Sequence, residues 1–379
     1  MKKVRFALIG CGRVSNWHAS AIKNMEDSEL VAVCDLVEEK ALAMAKEHGV
    51  RHYTDYRKML ETEEVDVVNI ITPSGMHAEH SLDIMTNYKK HVVVEKPMAL
   101  RVEDCERMMK TARENGVGLY VVMQNRFNKA VVKIKEAIDK GLFGRFVLGT
   151  VRLRWCRPQR YYNRDPWRGK WAFDGGALTN QAIHHIDLLR WLVGEVEEVS
   201  AIASTRLVDV EVEDTAAVWL RFENGAMGMI EATTAARPDD LEASISILGE
   251  NGTVIIEGTS VNRIVKWTFG EIDMKEFSEA PPNVYGFGHR PLLEEVARSV
   301  REGPPFPVDK ANAIKTIELL SAIYNSIEHR GRSVRLKDQP RSSKLGVMKP
   351  ADKKIKDMYT TPPAPGKDRQ RAEREGASR

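Results

Sequence analysis

Two groups of residues in this sequence have types and spacings that suit chemistry better than packing. Lys96 closes the run His91-Val92-Val93-Val94-Glu95-Lys96-Pro97, a buried apolar strand that ends in a cation. An ammonium group at the carboxyl end of such a strand can donate a hydrogen bond to negative charge developing on a substrate oxygen. The second group lies in residues 177–192, where Asn180, His184 and Asp187 recur at i, i+4 and i+7 and so share one helical face. Gln181 and His185 form a neighbouring stripe one turn apart. An imidazole there can take a proton from a hydroxyl. A satisfied polar seam in a core would use the same residue types. Against that, Asp174-Gly175-Gly176 directly precedes the helix and turns its N-terminal amides toward whatever fills the cleft.

These groups need a frame, and the N-terminus supplies one. Residues 4–9 read as a short buried strand, followed at once by Gly10-Cys11-Gly12-Arg13-Val14-Ser15, which opens a helix through Trp17, Ile22 and Met25. In a dinucleotide-binding turn the first glycine makes the bend, the second lets the backbone approach a pyrophosphate, and the third position needs a small residue. Ser15 takes that third place. The next strand, residues 30–35, ends in Asp35 about 20 residues on, where an acid holds ribose hydroxyls and repels a 2′-phosphate. The expected cofactor is NAD rather than NADP, the alternative for Asp35 being a helix cap.

Strands at 51–53, 65–71 and 118–122 alternate with helices at 37–48, 77–86 and 102–114, the last stopped by Asn115-Gly116. Such alternation predicts an α/β domain over 1–123, a Rossmann-type doubly wound parallel sheet with ligands beyond its strand ends. Past residue 123 the pattern changes to a helix at 130–140, a strand at 145–153, and then strands near 196–204, 214–222, 226–234, 241–248, 253–257 and 263–269 with asparagine-glycine turns between them. This predicts an α+β domain over 124–309 with a large open antiparallel sheet, whose exposed face calls for a second subunit in a dimer or tetramer. Helices at 290–301 and 310–329 should return to the first domain, with residues 310–336 as the returning unit. Residues 337–379, rich in Lys, Arg, Pro and Ser, read as a flexible tail.

At 379 residues the chain exceeds what one core usually sustains, which also favours two domains. A net charge of +3 is too small to argue for nucleic acid or an acidic membrane surface. Cys11, Cys34, Cys105 and Cys156 show neither paired nor metal-ligand spacing, so reduced thiols and no metal are expected. Met1-Lys2-Lys3 runs straight into a strand, and no segment reaches the ~18 apolar residues of a membrane helix. A soluble cytoplasmic protein is the expectation.

In the loop at residues 154–171 arginines and aromatics interleave, which suits a ligand carrying phosphate or carboxylate groups and a ring. Single-stranded nucleic acid would suit it too, but a near-neutral chain with a nucleotide fold argues for a small nucleotide-linked ligand.

The Gly10-Cys11-Gly12 turn, the Glu95-Lys96-Pro97 strand end and the histidine helix together resemble the Gfo/Idh/MocA oxidoreductases over residues 1–335. The resemblance implies that Lys96 and His184 serve hydride transfer from a sugar or polyol hydroxyl to the nicotinamide, with Asn180 standing where the family has an aspartate. An amide cannot relay a proton, so His185 or Asp187 would set the polarity of His184. The stretch from Arg157 to Gly169, with Asp174-Gly175-Gly176 and Asn180 to His185, is similar to the WlbA/WbpB subgroup. Those enzymes oxidise the 3-hydroxyl of UDP-N-acetylglucosaminuronic acid to a ketone for surface polysaccharide and O-antigen synthesis. The sites this implies are catalytic Lys96, His184, Asn180 and His185; a cofactor set of Gly10, Gly12, Arg13, Val14, Ser15, Asp35, Thr72, Pro73, His77, Glu95, Lys96, Gln124 and Trp167; and a substrate set of Arg157, Gln159, Arg160, Tyr161, Arg168, Asn180, Gln181 and His184. An inositol or polyol dehydrogenase, and a non-catalytic NAD-dependent sugar sensor, are the alternatives.

Overall fold

The structure, a computed structural model, describes residues 3–281, 284–303 and 310–360. Strands β1 (Val4–Ile9), β2 (Ser28–Cys34), β3 (Arg51–Tyr53), β4 (Val67–Ile70), β5 (His91–Val94) and β6 (Leu119–Val121) form one sheet in the order β3-β2-β1-β4-β5-β6. Every neighbouring pair is parallel. All four residues of β4 are buried, as a parallel sheet covered on both faces requires. The strand order reverses between β1 and β4, which leaves a crevice at their carboxyl ends where such sheets bind ligands.

Helices α1 (Ser15–Lys23), α2 (Glu38–His48), α3 (Tyr56–Thr62), α4 (His77–Asp83) and α5 (Val102–Glu114) accompany this sheet. Helix α5 shows why the sequence folds so: Val102, Cys105, Met108 and Ala112 form its buried stripe, and Glu103 and Asp104 meet the positive end of its dipole. Helix α3 went unpredicted, although Asp55 caps it by accepting the Arg57 amide at 3.0 Å.

Helix α6 (Lys129–Asp139) leads into β7 (Phe146–Arg154), and the short α7 (Gln159–Tyr162) lies in the aromatic loop. Helix α8 (Ile183–Val193) precedes β8 (Val196–Ser204), β9 (Thr215–Phe222), β10 (Met227–Thr233), β11 (Glu242–Gly249), β12 (Gly252–Glu257) and β13 (Arg263–Trp267). With the later β14 (Val334–Arg335) they form an eight-stranded sheet ordered β13-β12-β11-β7-β10-β9-β8-β14. One expectation is corrected here: the sheet is mixed, because β10 runs parallel to β7. Along β9 the inward Ala216, Val218, Leu220 and Phe222 alternate with outward residues, among them Trp219.

The predicted helix over 177–192 is interrupted. Ala177–Gln181 forms a wider π turn and the regular helix begins at Ile183, so Asn180 does not lie on the straight face that its spacing implied. Helix α9 (His289–Glu302) packs against α1, and α10 (Lys310–Glu328) lies over β8 while touching α5 and β6, which joins the two sheets. The tail expectation also changes: Leu345 is buried and α11 (Lys353–Thr360) is a helix docked on the body of the protein. Residues 361–379 lie outside the described residues.

Candidate active site

A cleft of about 1190 Å³ opens between the carboxyl ends of the parallel strands and the second domain. Ordinary ligand pockets run to ~1,000 Å³, so it has room for a dinucleotide and a second molecule. Gly10 has φ +99°, and a Cβ there would meet the Ile71 carbonyl oxygen at 2.5 Å, so only glycine fits. A Cβ on Gly12 would meet nothing within 4 Å; its backbone faces open cleft, as the approach of a pyrophosphate needs. Arg13, Val14, Thr72, Pro73, Gln124 and Trp167 line the same cleft. Asp35 also lines it and accepts the amides of Cys11 and Val37, both at 2.8 Å, with no cation paired to it among the described residues. These features fit NAD. Ser15 does not line the cleft: it is fully buried and its hydroxyl donates to the Gly12 carbonyl, fastening the turn from behind.

His77 lines the cleft, yet its ring nitrogens face the Thr72 and Pro97 carbonyls at 2.9 and 2.7 Å. Burial pushes its pKa down, and the neutral ring donates to one carbonyl at a time, tying the end of β4 to the loop after β5.

Glu95 is buried and lines the cleft beside Lys96. His18 meets its Oε1 at 2.9 Å and His289 at 3.7 Å. Burial works to raise this carboxyl, but the two imidazoles outweigh it and hold it well below the usual range. Ligand atoms of His18, Glu95 and His289 lie within 4.8 Å of one another. Hydrogen bonding accounts for the pair at its centre: Asn69 Nδ2 donates to His18 Nδ1 at 2.9 Å, which puts the His18 proton on Nε2, aimed at Glu95, where a metal would need a lone pair.

Lys96, the next residue, projects into the cleft and donates from Nζ to the Asn180 carbonyl at 2.8 Å. Burial lowers its pKa, the charges of Glu95 and Asp174 oppose that, and Arg168 adds to the lowering.

Asn180 cannot act as a base, and both ends of its side chain are engaged. Its Nδ2 donates to Asp174, while its Oδ1 accepts from Gln181 at 2.7 Å. Asp174 accepts the Gly169 amide at 2.8 Å and is fully buried. Burial raises its carboxyl to about 6, against the lowering influence of Gly169, Arg168, Asn180 and Lys96. The carboxylate that the motif lacks at Asn180 thus arrives from six residues upstream. Sequence reasoning saw Asp174 only as a turn residue. The turn has its own constraint, because a Cβ on Gly176 would lie 2.1 Å from the Glu213 carboxylate, which in turn accepts the Leu178 amide at 2.9 Å.

His184 lines the cleft, and neither ring nitrogen has a hydrogen-bond partner among the described residues. Burial, then the nearby Lys96 charge, pushes its pKa down to about 3, so the ring is neutral at physiological pH. Two expectations fail beside it. His185 is not among the residues that line the cleft; its ring stands edge-on to Trp155 with centroids 5.9 Å apart, and burial lowers it to about 4. Asp187 does not orient His184: Arg126 holds it at 2.6 and 2.7 Å and Thr316 at 2.8 Å.

The aromatic loop forms the far wall. Arg157 donates to Gln181 and Asp240 and lies over Trp155; Arg168 donates to Asp165 and to the Tyr161 hydroxyl and lies over Trp167. These two are held in place, whereas the cleft-lining Arg160 and Arg164 are exposed and have no acidic partner among the described residues. Gln181 and Tyr161 also line the cleft, joined by a hydrogen bond of 3.1 Å. Gln159 does not: it turns outward to Asn163 and Asp209. Arg164 and the C-terminal Met358, Tyr359 and Thr360 line the cleft without having been singled out.

Residues 4–123 match the family model described as the oxidoreductase family, NAD-binding Rossmann fold, and residues 131–255 match the GFO/IDH/MocA C-terminal domain. The WlbA dehydrogenase of Bordetella pertussis, solved with NADH and UDP-GlcNAcA, is 41% identical with a TM-score of 0.84, the match covering 88% of this chain and 98% of that one. The WlbA dehydrogenase of Chromobacterium violaceum, solved with the same ligands, is 39% identical with a TM-score of 0.82, over 88% and 96% of the two chains. A curated relative, the myo-inositol 2-dehydrogenase of Thermotoga maritima, is 29% identical over 88% of this chain and 99% of its own.

Proposed function

The chain belongs to the Gfo/Idh/MocA oxidoreductase family and is an NAD-dependent sugar or polyol dehydrogenase, and from that premise we propose that its substrate is a nucleotide sugar acid, with oxidation at the 3-hydroxyl of UDP-N-acetylglucosaminuronic acid. The carrying observation is the far wall of the cleft, where Arg160 and Arg164 stand without acidic partners beside the fixed Arg157 and Arg168. Guanidinium groups facing a cleft suit a diphosphate and a uronate carboxylate. Inositol carries no charge to answer them, which disfavours the polyol reading.

Bound NAD supplies the hydride acceptor. His184, neutral and unpartnered, takes the hydroxyl proton. Lys96 donates a hydrogen bond to the developing alkoxide. Asp174 positions Lys96: it holds Asn180, whose backbone carbonyl anchors the Lys96 ammonium, and after Glu95 its charge opposes the lowering of that group's pKa by burial. The chain Arg157 to Gln181 to Asn180 to Asp174 ties the substrate wall to the catalytic floor. The exposed sheet face carrying Trp219, Met227 and Ile202 would pair with a second copy. No helix among the described residues is long and apolar enough to cross a membrane, and a cytoplasmic enzyme acting ahead of surface polysaccharide assembly is the setting this reading implies.

Turnover on UDP-N-acetylglucosaminuronic acid set against myo-inositol, both with NAD, tests the proposal. NADH formed from the sugar nucleotide at a kcat/KM at least about 100-fold higher supports it; the reverse preference would establish the polyol reading.

A further inference from the structure

Beyond β14 the chain does not leave the molecule but crosses it. Arg341 donates to Glu103 on α5 at 3.0 Å, in the first domain, and Leu345 is buried. The Gly346 amide then donates to the Trp171 carbonyl at 2.8 Å, in the second. Lys349 and Asp352 bond reciprocally through side chain and backbone and start α11. Lys356 pairs with Glu79 of α4 at 2.6 Å, while Ile355 and Tyr359 pack on Met76 of the first domain and on Ala172 and Phe173 of the second, beside Trp167. Helix α11 therefore grips both walls of the cleft.

Its last turn then enters the cleft. Met358, Tyr359 and Thr360 line the same cavity as Gly12 and Asp35. Tyr359 lies where it feels the charges of Asp165 and Arg168 on the substrate wall and Asp35 on the cofactor wall. Met358 is 56% exposed although it sits on a docked helix at the cleft, an apolar surface with room for an apolar partner. The relatives above match almost their whole length, yet each covers only 88% of this chain.

We infer that the last turn of α11 is part of the dinucleotide site of this enzyme, and that α11 must leave its seat on Met76, Phe173 and Glu79 before the cofactor exchanges. The cofactor cleft carries this role whatever the identity of the sugar. Packing of Tyr359 and Met358 over a bound ligand would retard its departure, and the Lys356–Glu79 pair latches the helix that carries them.

The test is NADH binding without any sugar, followed by nicotinamide fluorescence in equilibrium titration and stopped-flow displacement by excess NAD. The proteins are the full chain, a chain ended after Met348, Tyr359→Ser, Lys356→Glu, and Lys356→Glu with Glu79→Lys; circular dichroism and melting temperature check that each folds. Ending the chain and Tyr359→Ser should each raise the NADH dissociation rate about tenfold. Lys356→Glu should raise it several-fold, and the charge-swapped pair should restore the full-chain rate. Dissociation within a factor of two of the full chain in folded Tyr359→Ser and Lys356→Glu would overturn the inference, even if the shortened chain bound weakly, because the arm would then act on stability alone. If the sugar proposal failed, these outcomes would be unaffected.

Discussion

Replacing Asp174 with asparagine separates two candidate owners of the acid limb of the pH profile. Lys96 and Arg168 face Asp174 as cations, Tyr161, Tyr162 and Glu213 also sense its charge, and Gly169 and Asn180 donate to it. Burial raises its carboxyl from 3.8 to about 6, so it is ionised above that pH and protonated below it. As the pH falls through about 6 the negative charge beside Lys96 disappears, and kcat/KM should fall with it toward the lower level of the protein that carries a neutral group at this position. His184 is held near 3, stays neutral through that window and cannot produce this limb. Two units of elevation, net of the hydrogen bonds and cations that offset burial, correspond to about 3 kcal/mol against the native state with this carboxyl charged at neutral pH. The asparagine variant escapes that net penalty, so at neutral pH it should be no less stable than the parent chain. Turnover should nevertheless fall roughly 10- to 100-fold, because Asn180 and Lys96 lose the carboxylate that aligns them. Rates from about pH 5 to about pH 8, read with thermal unfolding of the same samples, give both halves. A variant that kept the acid limb near 6, or lost activity only in proportion to lost folded protein, would refute the assignment.

Lys96→Ala and His184→Ala should each lower turnover by ~100- to 10,000-fold while NADH binding, followed by fluorescence, changes little; wild-type rates in both would remove them from the mechanism. Arg160→Ala and Arg164→Ala should raise KM for the sugar nucleotide about tenfold with a smaller change in kcat, as expected of groups that bind ground and transition states alike. Trp219→Arg, on the exposed sheet face, should shift the protein toward monomer in light scattering at micromolar concentration, with NADH binding retained.

The parallel sheet was legible because β1, β2, β4 and β5 are runs of apolar residues separated by strong turn signals. The pairing of β10 with β7 was not, since a parallel partner about 80 residues distant leaves no hairpin mark between them. Lys96, His184 and the glycine turn could be placed from type and position. His185 and Gln159 failed because residue type carries no direction: each lies in the right segment, yet neither lines the cleft. Asp187 shared a predicted face with His184, yet Arg126 and Thr316, from remote segments, claim its oxygens. Asp174 was overlooked for a related reason. Its link to Asn180 depends on Gly175 at φ +70° and Gly176 against Glu213, a fold-back that spacing alone does not reveal. The C-terminal arm was read as a tail because few of its residues are apolar, and Leu345, Ile355 and Tyr359 anchor it inside a stretch whose average composition resembles disorder.

Deuterium at carbon 3 of UDP-N-acetylglucosaminuronic acid offers the sharpest check on what this cleft does. A single turnover with NAD, analysed by mass spectrometry, should place that deuterium on the reduced nicotinamide and leave a 3-keto sugar nucleotide in equal amount. Reduced cofactor without the label, or an intact sugar alongside active reduction of NAD by an uncharged polyol, would contradict the account.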